Sequence, residues 1–219
     1  MTTDIDQHQL QRAQTGSDRP EGCIQYRTRQ PIFLEGASAG FVFEVLKGTV
    51  MISKTLPDGR RQIVEMLGPG SLFGITSLGS YPCQADALTA VEVHRIPRRL
   101  ASESKTLQKR WCDQLIFELE AVQNHALLLG RKSAMERVAS FLLSLPVVRN
   151  SSGPGAVSQA SSRITNMTQL EIGDYLGLKV ETVSRTLAIL KRRMIIAKGK
   201  RGQFLVLDLG ALGRLASPV

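Results

Sequence analysis

Two periodicities divide this chain. From residue 24 to residue 97, apolar positions come in short runs closed by glycine. Gln30–Leu34 ends at Glu35-Gly36, Phe41–Leu46 ends at Lys47-Gly48, Thr49–Lys54 follows, and Gln62–Leu67 ends at Gly68-Pro69-Gly70. Leu56-Pro57-Asp58-Gly59 is a strong turn signal between two of these runs. Leu88–Ile96 alternates as a last strand. Many short strands at close spacing predict an antiparallel sandwich or barrel. The stretch from Gly70 to Ala87 has no clear period and predicts no element.

After residue 97 the period lengthens. Cys112, Leu115, Leu119, Val122, Ala126 and Leu129 recur at three, four, three, four and three, the spacing of a coiled-coil seam. Ile116 and Leu127 widen the apolar stripe. A helix laid on its own sheet would also use such a stripe, but the near-strict seam favours a symmetric dimer. Arg131–Leu145 reads as another helix, with Met135, Val138, Ala139 and Leu142 apolar, stopped by Pro146. Asn150–Ser162 is rich in Ser and Gly and reads as a loop without a core.

The densest signal lies in Thr168–Met194. Thr168 with Glu171 three residues on is a capping box. Leu170, Tyr175 and Leu176 supply apolar contacts for the helix that follows. Gly177 allows a turn with positive φ. A second helix starts near Lys179, with Val180, Val183, Leu187, Leu190 and Met194 as its buried stripe. Glu181, Ser184 and Arg185 stand at i, i+3 and i+4 and project together from another face. Two helices joined by a glycine turn are the helix-turn-helix pattern, whose second helix enters the major groove. Arg can take guanine bidentately, Glu can accept from cytosine N4, and Ser can serve either way. Glu181 and Arg185 are equally an i, i+4 charge pair of the sort found on any surface helix. The flanking sequence favours DNA. Lys191-Arg192-Arg193 ends the helix, and Ile195–Leu207 reads as strand, basic glycine turn and strand, a wing placed to touch phosphates.

Charge sharpens that reading. The net charge is +9, and residues 1–130 carry 14 Lys and Arg against 14 Asp and Glu. Residues 131–219 carry 14 against 5, so the whole excess lies in the part with the helix-turn-helix. A neutral first part joined to a basic second part points to a polyanion. An anionic membrane is the weaker candidate, because the cations interleave with core positions and line no long amphipathic helix. No apolar run approaches the ~20 residues that span a bilayer, and the acidic, polar N-terminus does not read as a signal peptide. The expectation is a cytoplasmic protein. Cys23, Cys83 and Cys112 are scattered without metal spacing, and His8, His94 and His125 are isolated. No nucleophile–base set, phosphate-cradling glycine motif or metal set appears, so neither an enzyme nor a metal site is expected.

In this order the elements resemble the CRP/FNR superfamily of transcription regulators over about residues 25–215. Tyr26–Gly36 looks like its opening strand, and Leu56–Ile63 and Gly70-Ser71-Leu72-Phe73-Gly74 look like its β-roll. Val180-Glu181-Thr182-Val183-Ser184-Arg185 matches the Glu-x-x-Ser-Arg of the FNR-type branch, which includes FixK, whereas the cAMP-responsive branch carries Arg where this chain has Val180. Residues 1–22, polar and without a period, read as a flexible arm; beyond them the resemblance implies an α+β chain with an N-terminal antiparallel β-roll over 23–97, a long dimerisation helix over 98–130 and a C-terminal winged helix-turn-helix over 131–219. It implies base contacts from Glu181, Ser184 and Arg185 to a TTGA…TCAA inverted repeat. Backbone contacts would come from Thr168, Lys179, Thr182, Lys191, Arg192, Lys198 and Lys200, and the dimer helix would pair through Leu115, Leu119, Val122, Ala126 and Leu129. The implied partners are double-stranded DNA, a second copy of the chain and RNA polymerase, in low-oxygen or nitrogen-fixation control. Two departures argue against cAMP. Gly74 is followed by Ile75-Thr76 instead of Glu, and Tyr81-Pro82-Cys83-Gln84-Ala85 holds no Arg for a phosphate. Only Cys23 lies near the end where FNR groups its cluster cysteines, so no iron–sulfur cluster or other cofactor is expected. A β-roll that binds an unidentified small effector is the alternative reading.

Overall fold

The computed structural model describes residues 22–145, 147–148, 161–199 and 203–217. The arm expected over 1–22, apart from Gly22, and the loop expected after Asn150, apart from Ser161 and Ser162, lie outside the described residues.

The first part is built from two antiparallel sheets. One runs in the order β1 (Cys23–Tyr26), β8 (Val91–Pro97), β3 (Phe41–Lys47), β6 (Leu72–Phe73). The other runs β2 (Pro31–Phe33), β7 (Gln84–Ala87), β4 (Val50–Thr55), β5 (Arg61–Leu67). Strand alternation sends Phe43 and Val45 of β3 to the interior, where they meet Val50, Leu67 and Ala87 of the opposite sheet. Val42 points to the other face, into a small cluster with Ile96 and Ala101. Phe33, Phe43, Phe73 and Tyr81 form an aromatic stack inside, with the Phe33 and Tyr81 centroids 3.8 Å apart. The segment from Gly70 to Ala87, which shows no period, supplies both β6 and β7. β7 sits between β2 and β4, so two neighbours impose the extended state on a Gln-Ala-Asp-Ala sequence of low strand propensity. The last strand begins at Val91. Leu88, at the end of β7, donates instead to the Thr49 carbonyl at 2.9 Å.

The helical stretch after residue 97 is broken. α1 (Arg98–Glu103) stops at Ser104, which caps α2 (Lys105–Arg131) by accepting from the Leu107 N–H. Arg131 therefore ends α2 and does not open the next helix. α3 (Ala134–Ser144) starts after Ser133, which forms a full capping box with Glu136. No residue of α2 is buried.

The last part joins a small sheet to α3 and three further helices. The sheet order is β11 (Ile196–Lys198), β12 (Gln203–Val206), β10 (Ser161–Ile164), β9 (Val147–Val148). Ser161 and Ser162 belong to β10, opposite Val206 and Leu205, and not to a loop. The helices are α4 (Gln169–Leu176), α5 (Val180–Arg192) and α6 (Leu209–Ala216). One buried cluster holds Val138, Phe141 and Leu142 of α3, Ile172 and Leu176 of α4, Val183, Leu187 and Leu190 of α5, and Leu212 of α6. Met51 of β4 and Ile63 of β5 belong to the same cluster, so the β4–β5 hairpin and the last part share a core. Two members of the expected apolar faces are not there. Leu170 is 56% exposed, and Ile172 fills the core in its stead. Met194 is 69% exposed because it lies beyond α5 with φ 55. That turn swings Met194 outward and delivers Ile195 and Ile196 to the core. Val180 is half-buried.

Polar ties reinforce the shared core. Arg29, itself at φ 68, ion-pairs with Glu171 and donates to the Asn166 carbonyl at 2.7 Å. Arg61 pairs with Asp174 at 2.9 Å, and Gln62 Nε2 donates to the Tyr175 carbonyl at 3.2 Å. Glu171 is buried and does double duty, since its other oxygen takes the Thr168 N–H at 2.8 Å in the capping box. Glu171→Ala removes the box and strands Arg29. The expected loss is about 1–2 kcal/mol of folding stability, read as a lower urea midpoint at unchanged slope.

Candidate nucleic-acid interface

The turn between α4 and α5 fixes everything presented beyond it. Thr168 caps α4 as expected, accepting from the Glu171 N–H, and Gly177 takes the left-handed conformation at φ 63. Leu178 N–H reaches back to the Gly173 carbonyl at 2.9 Å, the 6→1 bond of a Schellman ending. Gly173 is also there for space: a Cβ on it would lie 2.5 Å from the Leu178 carbonyl oxygen. The pattern did not single out Gly173, although a glycine mid-helix, costly by propensity, is the signal that could have found it.

α5 then divides its surface cleanly. Val183, Leu187 and Leu190 are buried, while Glu181, Ser184 and Arg185 are all exposed along the first two turns. Arg185 Nε donates to the Glu181 backbone carbonyl at 3.3 Å, so the guanidinium is not committed to the Glu181 carboxylate. Both side chains are left available to an outside partner.

The seven residues expected at the DNA backbone fall in several places. Lys179 is exposed at the N-cap of α5 without a cap bond from its side chain, and Thr182 is half-buried. Lys191 and Arg192 sit in the last turn of α5, where cations suit the negative end of the helix dipole. Lys198 is exposed at the end of β11, while Lys200 lies outside the described residues. Thr168 is exposed, but its hydroxyl is already used twice by Glu171.

On α2, Leu115, Leu119 and Val122 are 50–59% exposed, Ala126 is exposed and Leu129 is half-buried. Ile116, Phe117 and Leu127 add large exposed side chains to the same helix. Six large apolar residues left open on one helix are more than a lone monomer surface ordinarily carries. Leu129 is also spent on the helix-turn-helix: its Cδ2 lies 3.2 Å from where a Gly177 Cβ would stand.

Between the β-roll and α2 lies a half-open pocket of about 270 Å³ lined by Phe33, Ile52, Phe73, Gly74, Tyr81, Cys83, Trp111, Glu65 and Glu118 among others. The lining holds two carboxylates and no Lys or Arg, the wrong charge for a phosphate. Burial, with Glu118 nearby, pushes the Glu65 carboxyl up to about 7. Cys23 and Cys83 are half-buried free thiols and Cys112 is an exposed one. Among the described residues no three His, Cys, Asp or Glu side chains gather as a metal site, and no helix is long and apolar enough to cross a membrane.

Comparison with known proteins gives two family matches. Residues 136–215 match the Crp-like helix-turn-helix domain, and residues 23–102 match the cyclic nucleotide-binding domain. The nitrogen fixation regulation protein FixK of Azorhizobium caulinodans is 38% identical over 192 residues, covering 85% of this chain and 75% of that one. The transcriptional activator protein FnrL of Cereibacter sphaeroides is 30% identical over 197 residues, covering 85% and 77%. The solved structure of FixK2 from Bradyrhizobium japonicum superposes with a TM-score of 0.74 at 32% identity, covering 90% of this chain and 98% of that one.

Two outcomes follow for the cavity. Calorimetry with cyclic AMP at micromolar concentrations is expected to show no binding heat. Native Glu65 holds its proton up to about pH 7, whereas the unfolded carboxyl, near its ordinary value of 4.5, releases it earlier. Its contribution to stability is therefore lost as pH rises between those values. Glu65→Gln is expected to melt higher than wild type at about pH 8 and alike at about pH 4, measured by thermal denaturation.

Proposed function

The chain belongs to the CRP/FNR superfamily of transcription regulators, in its FixK-like branch, and from that membership we propose how it engages DNA. It is a DNA-binding regulator of the FNR/FixK type, and control of nitrogen-fixation or low-oxygen genes fits its relatives. In this reading two copies pair through the exposed stripe of α2 and set two α5 helices in successive major grooves of an inverted repeat. Arg185 takes a guanine, Glu181 the paired bases and Ser184 a thymine of a TTGA…TCAA-like site. Lys179, Thr182, Lys191, Arg192, Lys198 and Lys200 meet phosphates, with Thr168 contributing through the end of α4. RNA polymerase is the partner at promoters, and the work is binding, with no reaction catalysed.

The single observation that carries this reading is the exposure of Glu181, Ser184 and Arg185 together over a buried Val183-Leu187-Leu190 stripe. A second reading, in which the β-roll binds a small effector, is favoured by the largely apolar pocket between the β-roll and α2. A metabolite panel that leaves the melting temperature flat would remove it, since any ligand preferring the folded state stabilises it.

Selection of bound sites from random DNA, with and without oxygen, tests the main reading directly. An inverted repeat is the expected product, and unenriched sequence would defeat it. Arg185→Ala is expected to cost about 1–3 kcal/mol and to relax one base position. An equal loss on every sequence would make Arg185 a phosphate contact only. Affinity should fall steeply with salt, at a slope of about −0.9 per phosphate neutralised.

A further inference from the structure

Arg137, in the first turn of α3, gathers two helix ends. Its Nε donates to the Lys132 carbonyl at 2.8 Å and its Nη2 to the Leu129 carbonyl at 2.7 Å, both at the C-terminus of α2. Its Nη1 donates to the Leu176 carbonyl at 2.9 Å and approaches the Gly177 carbonyl at 3.5 Å, both at the C-terminus of α4. These carbonyls belong to the last turns of their helices, where intrahelical partners run out and the dipole is negative. The guanidinium thus meets its charge in two converging helix termini. A planar fork with five donors can serve both at once, and an ammonium on a flexible stem cannot hold that geometry. The cation also stands near the positive start of its own helix, an unfavourable place unless those bonds offset it.

The connection between α2 and α3 has little slack. Lys132 Nζ donates to Ser140 Oγ and to the Ala216 carbonyl, each at 2.8 Å, tying that joint to α3 and to the end of α6. On the other side Leu129 Cδ2 and Arg137 Nη1 lie 3.2 and 3.5 Å from where a Cβ would stand on Gly177, the residue that turns α4 into α5.

The geometry points to Arg137 as a positioning residue that sets the pose of α5 against the dimer axis and so fixes the half-site spacing the dimer accepts. This rests on the dimeric, base-reading function proposed above. α2 carries the two-fold stripe, the Gly177 turn launches α5, and Arg137 bolts one to the other. A one-base-pair change in spacer moves a half-site by about 3.4 Å along the duplex and rotates it by roughly a tenth of a turn. A rigid joint resists that change, and a loosened joint follows it.

The test uses full-length wild type, Arg137→Ala and Arg137→Lys, each checked for melting temperature and dimeric mass. Affinities are measured by fluorescence anisotropy on palindromes with the selected spacer and with spacers one base pair longer and shorter. Wild type is expected to lose at least about tenfold when the spacer changes, a difference of about 1.4 kcal/mol. Both variants are expected to bind the selected spacer more weakly and to discriminate spacers by less than about threefold, because neither keeps the fork across both helix ends. Lost stability alone lowers all three affinities together and leaves their ratio untouched. A folded, dimeric Arg137→Ala with the wild-type ratio would overturn the assignment. Should that variant fail to fold, an unchanged ratio in Arg137→Lys overturns it equally. Wild type that binds palindromic and scrambled duplexes alike would instead defeat the base-reading function itself, and this inference with it.

Discussion

Burial of one stripe on α5 is what the rest of the molecule serves. Val183, Leu187 and Leu190 must enter a core for Glu181, Ser184 and Arg185 to stand in a fixed array outside it. A helix of this length is marginal by itself in water, so its packing supplies its order. α3, α4 and α6 provide the walls of that core, and the Ile195-Ile196 pair closes it after the chain turns at Met194. Each long aliphatic side chain sealed there contributes about 1.5–3 kcal/mol relative to exposure. Base reading needs such a platform, since polar groups that wander lose the geometry on which discrimination rests.

Three arginines relate that platform to its surroundings. Arg29 and Arg61 come from the β-roll and reach Glu171 and Asp174, one turn apart on α4. Arg137 comes from α3 and holds the far end of α4. The helix is therefore gripped near its beginning, along its side and at its end. Glu171 is buried, and a buried carboxylate without a cation or N–H donors would be strongly unfavourable. It has both. The worth of these ties lies in fixing orientation more than in net stability, because desolvating charges offsets much of their attraction. Through Met51, Ile63 and Arg61, the hairpin of β4 and β5 bears on the same helix, so events in the β-roll have a physical route to the DNA-facing part.

The cavity and the stripe on α2 lie side by side along that route. Leu115 and Glu118 of α2 line the cavity, while Leu119 and Val122 remain open to solvent. α2 therefore borders the β-roll pocket, carries the open apolar stripe and, through Leu129 and Arg137, meets the Gly177 turn between α4 and α5. One helix that meets both the β-roll and this turn is the natural carrier of any coupling between them.

Much of this was written in the sequence itself. The capping box of Thr168 and Glu171, the turn at Gly177 and the opposed faces of α5 depend on neighbours within a few residues, so spacing and side-chain chemistry determined them. The glycine-closed strands and the basic second half were local in the same way. What the tertiary structure decided was whatever depends on distant partners. β7 is a strand because β2 and β4 flank it, not because Gln84–Ala87 prefers extension. Leu170 and Met194 fit the apolar period yet face water, since Ile172 and Ile195 already close the core beside them. Arg131 ended one helix instead of starting another because Ser133 and Glu136 form a capping box, a local signal two residues beyond it that the apolar period does not carry. Arg29, Arg61 and Arg137 look like any other surface cations in a list of residues. Only the fold brings carboxylates 113 to 142 positions away, and the ends of two helices, to the places where those side chains find them.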